Sequence, residues 1–170
     1  MANYVWSDLH LSHQNICRYC NRPFEDSLDG VEAMNKLILR NWRETIKGYD
    51  TIFNLGDFCF KWSKERLQNT LSNLPGKKIL ILGNHDRSHN TAWWRDAGFD
   101  EVYPYPIIYK KFFILSHEEV FLNEQMPYVN IHGHHHQKSF DKKCYLNVSV
   151  EQTNYMPISL DEIIERNKNA

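Results

Sequence analysis

Several features that would assign a chain to a particular class are missing from this sequence. The 170 residues carry a formal net charge of −1 and contain no long basic run, so the electrostatic footprint of a nucleic-acid-binding protein is absent. No apolar run approaches the ~20 residues that a membrane-spanning helix needs. The first residues lack the basic and apolar regions of a secretory signal peptide. We therefore expect a cytoplasmic protein with no membrane partner, for which long nucleic acid is a disfavoured substrate.

Cysteine is also scarce, and the sequence contains no repeat, no low-complexity tract and no Gly/Ser-rich linker. The four cysteines are expected to be free thiols in a reducing cytosol. Cys17 and Cys20 have the spacing of half a zinc site, but no second pair matches them, which favours ordinary thiols. The length fits a single domain over residues 1–170. A hydrophobic share of 42% and an aromatic share of 14% exclude a disordered chain.

Short apolar runs that end in polar clusters are the most informative feature that is present. Turn residues bound each run, which is typical of buried strands. Nine histidines occur in the chain, and most of them lie close to a Gly, Asp or Asn at the end of such a run. The five runs cover residues 4–6, 51–55, 79–82, 112–115 and 128–131.

Helical patterns separate the early runs, and strands dominate after residue 100. Apolar spacing predicts helices over Gly30–Ile46, over Lys64–Leu74 with Ser63 as its N-cap, and over Thr91–Ala97. A capping-box pattern at Ser159 predicts a C-terminal helix. Further strands are expected over residues 101–105, 107–115 and 144–151. This order predicts an α/β layered domain whose later strands form a second sheet or extend the first. Ligands in such folds bind beyond the carboxyl ends of the strands, where the polar clusters lie.

The polar clusters contain residue types that bind metals. Asp8 and His10 are two positions apart, as are His134 and His136, and in an extended segment such pairs point the same way. Asp57 has two carboxylate oxygens and is therefore able to bridge two cations.

Two further side chains extend this set of candidate ligands. Asn84 offers a neutral amide oxygen, and His117 offers an imidazole nitrogen. Mixed imidazole and carboxylate ligands suit manganese, iron, zinc, nickel or cobalt, whereas calcium and magnesium prefer oxygen ligands alone. A purely structural zinc site would be a closed set of four Cys and His ligands, which this set does not match.

Taken in order, the clusters resemble the signature of the calcineurin-like metallophosphoesterase superfamily. That signature reads Asp-x-His, Gly-Asp, Gly-Asn-His-Asp/Glu, His and Gly-His-x-His, and all five blocks occur in order from Asp8 to His136. The context of the first block and the tail over residues 154–162 are similar to a compact bacterial and phage-type branch of predicted phosphoesterases. The resemblance implies a four-layer α/β/β/α sandwich, in which two mixed sheets are flanked by helices.

The resemblance also implies two divalent transition-metal ions, with manganese favoured and iron, zinc, nickel or cobalt as alternatives. Asp57 would bridge them. One ion would be held by Asp8, His10, Asp57 and His136, and the other by Asp57, Asn84, His117 and His134.

Catalytic and substrate-binding roles are expected for residues near the ligands. His85 would not be a ligand but would donate a hydrogen bond or a proton near the phosphate or the leaving group. Asp86 either orients His85 or is simply an acid at a helix N-terminus. Arg22 and Arg87 are candidate contacts to a phosphate oxygen, and His13 either touches substrate or makes a structural hydrogen bond.

These expectations define a phosphoesterase that cleaves phosphate esters by direct attack of metal-bound hydroxide, with phosphodiesters or small nucleotides as the favoured substrates. A nuclease acting on longer nucleic acid is one alternative, and the near-neutral charge disfavours it. A non-catalytic metal-binding scaffold of the same fold is another, which the complete set of ligands and His85 disfavour. The aromatic stretch from Tyr103 to Tyr109 would support a homodimer.

Overall fold

The computed structural model describes residues 1–123, 125–140 and 142–168. It contains nine strands, whose bounds follow in chain order: β1 Asn3–Trp6, β2 Thr51–Asn54, β3 Lys77–Ile81, β4 Glu101–Tyr103, β5 Ile107–Tyr109, β6 Phe113–Leu115, β7 Val129–His132, β8 Tyr145–Asn147 and β9 Ile158–Ser159.

The strands form two mixed sheets. The first has the order β4-β3-β2-β1-β9, and the second has the order β5-β6-β7-β8. In the first sheet β1 to β4 are parallel and β9 is antiparallel to β1. In the second sheet β6, β7 and β8 are parallel and β5 is antiparallel to β6. The carboxyl ends of β1, β2 and β3 therefore lie at one edge of the first sheet, and those of β6 and β7 lie at one edge of the second.

The described residues also form five α-helices and one 3₁₀ turn. Ser27 and Ser63 cap the second and third helices by accepting hydrogen bonds from the backbone N–H groups of Gly30 and Arg66. The Ser159 Oγ accepts from the Glu162 N–H at 3.3 Å, as the capping-box pattern predicts. The helices are α1 Ile16–Tyr19, α2 Leu28–Thr45, α3 Lys64–Ser72, α4 Thr91–Asp96 and α5 Leu160–Lys168, and the 3₁₀ turn covers Asp86–Ser88.

Two apolar clusters hold these layers together. The side chains of Val5 and Trp6 follow one another in β1 and therefore point to opposite faces of the first sheet. Trp6 packs against Trp42 of α2 at a ring distance of 5.5 Å, within the cluster that covers the helix-bearing face. Val5 belongs to a second cluster, which includes Leu115 and Ile131 of the opposing sheet. The prediction of two mixed sheets flanked by helices is confirmed.

Two of the predicted strands are interrupted in the structure. The stretch Ile107–Leu115, expected as one strand, is a hairpin, since Lys110 and Lys111 turn the chain with φ values of 46° and 69°. The stretch 144–151, also expected as one strand, pairs regularly only over β8 and then bridges Ser149 to Ser7 of the first sheet. Within the described ranges, no helix is both long enough and apolar enough to cross a membrane.

Candidate metal centre

The loops that follow β1, β2, β3, β6 and β7 meet at one end of the two sheets. The Ser7 N–H donates to the Val148 carbonyl at 3.0 Å, which joins the end of β1 to the second sheet. The His10 N–H donates to the Asp57 carbonyl at 2.9 Å, which joins the loop after β1 to the loop after β2. These backbone bonds bring distant motifs together.

Five of the seven predicted ligands lie in the left-handed backbone region. The expectation that each ligand pair lies in an extended segment is therefore corrected: Asp8, His10, Asp57, His134 and His136 have φ values of 60°, 49°, 54°, 69° and 51°. Such conformations cost about 1–3 kcal/mol each in non-glycine residues and concentrate at functional sites. Turns in the loops after the strands, and not the strands themselves, therefore direct these side chains toward one another.

The Asp57 carboxylate occupies the middle of the candidate metal centre. Its Oδ2 lies 3.5 Å from the His10 Nε2 on one side and 3.4 Å from the His117 Nε2 on the other. Its Oδ1 accepts the backbone N–H of His85 at 3.0 Å. The Asp57 carboxylate therefore lies between two groups of donors, by which we mean side chains that are able to donate an electron pair to a metal ion.

The first group of donors surrounds Asp8. The Asp8 Oδ2 accepts from the His134 N–H and from the Ser149 Oγ, both at 2.9 Å. The Asp8 Oδ1 and the His10 Nε2 are buried and have no hydrogen-bond partner in the described part of the chain. They are 4.0 Å apart, and donor atoms of Asp8, His10 and His136 lie within 4.8 Å of one another. Buried polar atoms without a partner are costly, and a bound cation would give a partner to both of these atoms.

The second group of donors surrounds His117. Its Nε2 is 3.0 Å from the Asn84 Oδ1 and 3.2 Å from the His134 Nδ1. Its Nδ1 lies 2.8 Å from the Leu55 carbonyl, which leaves Nε2 facing the other donors. The residues present therefore fit a second cation beside the first, with Asp57 between them.

The electrostatics of the centre favour positive charge on two of its histidines, whereas burial lowers the pKa values of His10 and His134. Burial disfavours a charged imidazole, but the hydrogen bond to Asp57 and the charges of Asp8 and Asp57 outweigh it and raise the pKa of His117 to about 9. Burial likewise opposes charge on His136, but hydrogen bonds to Cys20 and Glu151 raise its pKa to about 10. Metal ligation requires neutral imidazole. Bound cations would therefore replace the protons on these two rings and supply the positive charge in their place.

Two motif glycines are needed because ligand side chains lie against their backbone. A Cβ on Gly83 would collide with the Asp57 carboxylate, and a Cβ on Gly133 would collide with the Asp8 carboxylate and the Ser7 hydroxyl. The glycines of these motifs thus define the space in which the two carboxylates sit.

Arg22 lies behind the centre and does not reach its open side. Its side chain is fully enclosed, and its guanidinium donates to the Glu151 Oε1 at 2.8 Å. The same group donates to the backbone carbonyls of Asp8 at 2.7 Å and Leu9 at 3.0 Å. Every one of these acceptors belongs to the protein, so the expected contact to substrate is corrected to a buried link between Glu151 and the Asp8 turn.

Glu151 is a residue of the site that the sequence reasoning missed. Its Oε1 lies 2.9 Å from the His136 Nδ1, which turns the other ring nitrogen toward Asp8 and His10. Carboxylates that hold the far nitrogen of a ligating histidine are common in metal sites. This rule predicts that a carboxylate holds the far nitrogen of His136, but no spacing in the sequence identifies Glu151 as that residue.

His13 and Asp86 also support neighbouring residues from behind. The His13 Nδ1 lies 3.1 Å from the His10 Nδ1, which leaves the His10 Nε2 facing Asp57. The Asp86 carboxylate accepts backbone N–H groups of Asp57, Phe58 and Gly83 at 2.7, 3.1 and 2.9 Å. Burial and the charge of Asp57 raise the pKa of Asp86 to about 7. Among the described contacts, none joins the Asp86 carboxylate to the His85 ring.

His85 and Arg87 are on the open side of the centre. The His85 Nε2 is 3.9 Å from the Asp57 Oδ2, and 39% of its side chain is exposed. Arg87 is exposed and lines a cavity of about 110 Å³ together with His117. These two residues are placed where a bound phosphate ester would be accessible to them.

The remaining histidines point elsewhere, whereas Cys20 of the cysteine pair contacts His136. The His135 Nε2 pairs with the Glu119 Oε2 at 2.6 Å. His132 is buried with its Nδ1 against the Gly133 carbonyl at 2.8 Å, and His89 stacks on Trp93. Cys17 and Cys20 are free, buried thiols.

Comparisons with known proteins identify the family to which the chain is similar. The sequence matches the family described as calcineurin-like phosphoesterase over residues 4–168. It is 34% identical to an uncharacterized protein of Methanocaldococcus jannaschii over 95% of this chain and 89% of the relative. It is 33% identical to the gene 66 protein of Mycobacterium phage L5 over 52% of this chain and 42% of the relative. The crystal structure of a protein of unknown function from Aquifex aeolicus superposes with a TM-score of 0.71 at 29% identity and covers 97% of this chain and 98% of that one.

The chain therefore belongs to the calcineurin-like phosphoesterase family. The family resemblance predicted from the five motifs is confirmed. Membership supports hydrolase activity on phosphate esters, and the clustered carboxylates and imidazoles are candidate ligands for divalent metals.

Substituting Gly133→Ala tests the close approach of Asp8 to the backbone. We expect the variant to lose about 1–3 kcal/mol of stability through overpacking and to bind Mn²⁺ more weakly, as measured by urea denaturation and titration calorimetry. Gly48→Ala is the matched control, since a Cβ at Gly48 meets nothing within 4 Å. Equal behaviour of the two variants would contradict the explanation.

Substituting Glu151→Gln tests the support of His136. Loss of such a carboxylate typically lowers metal affinity about 10–100-fold, and we expect a fall of that size for Mn²⁺ in titration calorimetry. The control is Glu119→Gln, which alters the equivalent carboxylate on the non-ligand His135 and should leave Mn²⁺ affinity unchanged. A similar loss in both variants would show that the effect is not specific to His136.

Proposed function

We propose that this protein is a dinuclear metal-dependent phosphoesterase that hydrolyses phosphate esters with water as the nucleophile. Phosphodiesters or small nucleotides are the favoured substrates, and manganese is the favoured metal. Residues 1–170 would act as a single catalytic domain. Membership in the calcineurin-like family supports the reaction class.

The observation that carries this proposal is the position of Asp57 between two groups of donors. Its Oδ2 is within 3.5 Å of an imidazole nitrogen on each side, which is the arrangement that a bridging carboxylate requires. Asp8, His10 and His136 would complete one coordination sphere. Asn84, His117 and His134 would complete the other.

Two divalent ions, when bound, supply Lewis acidity toward phosphoryl oxygens and lower the pKa of a coordinated water from 15.7 to about 7. The protein's own contribution is to hold the donors at fixed positions. The Ser149 hydroxyl and the His134 N–H orient Asp8, and the Asp86 carboxylate fixes the backbone on both sides of Asp57.

His85 is the residue that we assign to proton donation. Its backbone N–H is tied to the Asp57 Oδ1, while its ring is on the open side and only partly buried. From that position the imidazole would donate a hydrogen bond or a proton to the phosphoryl or leaving-group oxygen, a contribution that is typically worth about 10²–10⁴-fold in rate.

The other expected site residues take different parts in this proposal. Asp86 positions the loops of Asp57 and Gly83 and does not orient His85. Arg22 and His13 position Asp8 and His10 from behind, so neither binds substrate. Arg87, which is exposed beside His117, remains the candidate cation for a phosphate oxygen.

Hydrolysis assays on metal-stripped protein test the proposal. Bis-p-nitrophenyl phosphate and p-nitrophenyl phosphate would be offered with Mn²⁺, Fe²⁺, Zn²⁺, Ni²⁺ or Co²⁺ added singly. We expect diester cleavage only with added metal. Asp57→Asn should lose both metal binding and activity, because the shared carboxylate loses its charge.

His85→Ala should retain metal stoichiometry and lose about 10²–10⁴-fold in kcat. His135→Ala is the matched control, since it removes a neighbouring histidine that pairs with Glu119, and it should keep wild-type turnover. A preference for the monoester would identify a phosphatase. Stoichiometric metal binding with no turnover of either ester would favour the non-catalytic scaffold instead.

A further inference from the structure

A group of aromatic side chains lies immediately beside the candidate metal centre. It lines a cavity of about 330 Å³, which we call the aromatic cavity. Two chain segments form its walls: residues 59–62, which follow β2, and residues 88–94, which follow β3. His85 borders this cavity and also lies 3.9 Å from the Asp57 Oδ2, so the cavity and the centre share one residue.

We infer that the aromatic cavity binds the nucleobase of a nucleotide phosphate ester whose phosphoryl group is at the metal centre. The inference rests on the proposed function and narrows its substrate class. The side chains that carry it are Phe60, Lys61, Trp62, His89, Trp93 and Trp94.

The size and lining of the cavity suit a planar heterocycle. Its volume lies at the small end of the range for small-molecule sites, roughly 300–1,000 Å³. Aromatic side chains bind bases of any sequence by stacking, because every base has a π-face.

The walls of the aromatic cavity are fixed relative to the centre. The Trp94 Nε1 donates to the backbone carbonyl of Asp86 at 3.0 Å, and Asp86 in turn holds the backbone of Asp57. On the other wall, Phe60 stacks on His13 at a ring distance of 4.4 Å. A base held between these walls would therefore sit at a set distance from the phosphoryl site.

The charge of the lining points to the same ligand. Among the described residues that line the cavity there is no carboxylate, whereas Lys61 contributes a cation. A ligand that carries a phosphate therefore meets no like charge in this lining.

The cavity on the other side of the centre is a poor alternative for a base. It has a volume of about 110 Å³, and Glu118 and Glu119 are part of its lining together with Arg87. A third of the volume and two carboxylates make it unsuited to an aromatic group next to a phosphate. The base is therefore assigned to the aromatic cavity.

Calorimetric titration of the manganese-loaded protein with AMP and with ribose 5-phosphate tests the inference. Both probes carry the same phosphate ester, so the ratio of their Kd values isolates the base. We expect AMP to bind about tenfold more tightly than ribose 5-phosphate, as one stacked base would give. Trp93→Leu, which keeps an apolar side chain but removes the aromatic face, should bring the ratio close to one without weakening ribose 5-phosphate.

Two further variants guard against a folding artefact. His89 is exposed and stacks on Trp93 at 3.7 Å, so His89→Ala should fold normally and lower the ratio in the same direction. Tyr105→Leu removes an aromatic ring from the lining of the smaller cavity and should leave the ratio intact.

Equal binding of AMP and ribose 5-phosphate by the wild type would overturn the inference, as would a ratio that survives both Trp93→Leu and His89→Ala or that Tyr105→Leu abolishes. The proposed function fails separately. If esters are hydrolysed but AMP and ribose 5-phosphate bind equally, only the inference about the aromatic cavity is refuted. If AMP binds more tightly but no ester is hydrolysed, only the enzymatic proposal is refuted.

Discussion

The Asp57 carboxylate accepts a hydrogen bond through one oxygen and faces two histidines through the other, and the rest of the centre is arranged around it. Its Oδ2 faces His10 and His117 at 3.5 and 3.4 Å, and its Oδ1 holds the His85 N–H. Burial alone would raise the pKa of Asp57, but the hydrogen bond and charge of His117 hold it below the ordinary value. An ionised carboxylate so deeply placed needs compensating positive charge, and the imidazoles around it are positioned to share that task with bound cations.

A second constraint is geometric, and it explains why the motifs contain glycine. The first sheet presents its strand ends in a row, but donors from two sheets must converge within a few ångströms. Left-handed turns at Asp8, His10 and Asp57 achieve this, at a conformational cost that backbone bonds and the Asp86 clamp offset. The two carboxylates then lie so close to Gly83 and Gly133 that no side chain fits there. The Gly-Asn and Gly-His dipeptides of the motifs are thus consequences of where Asp57 and Asp8 sit.

Much of the fold was predictable because its signals are local. Apolar runs bounded by turn residues predicted the strands before each motif, and the caps predicted at Ser63 and Ser159 accept backbone N–H groups three positions further on. The hairpin at Lys110 was not predictable, since lysine carries no preference for the left-handed conformation that it adopts. The supporting contacts of the site were equally hidden. Arg22 and Glu151 are 129 positions apart in sequence, and a contact over that separation exists only once both sheets have formed.

The two cavities beside the centre offer space for the group that a phosphate ester carries, and they are therefore expected to influence which substrates this fold accepts. A two-metal centre clamps the attacking and leaving oxygens of an in-line displacement, so it fixes the reaction but not the group attached to the leaving oxygen. In the proposed reaction His85 donates to the phosphoryl or the leaving-group oxygen, and in the second case that group would lie in the space that adjoins His85. Here His85 borders the aromatic cavity, while His117 borders the smaller one. The residues that choose the substrate are therefore expected in the loops after β2 and β3, where Phe60, Trp62 and Trp93 lie, and outside the metal ligands themselves.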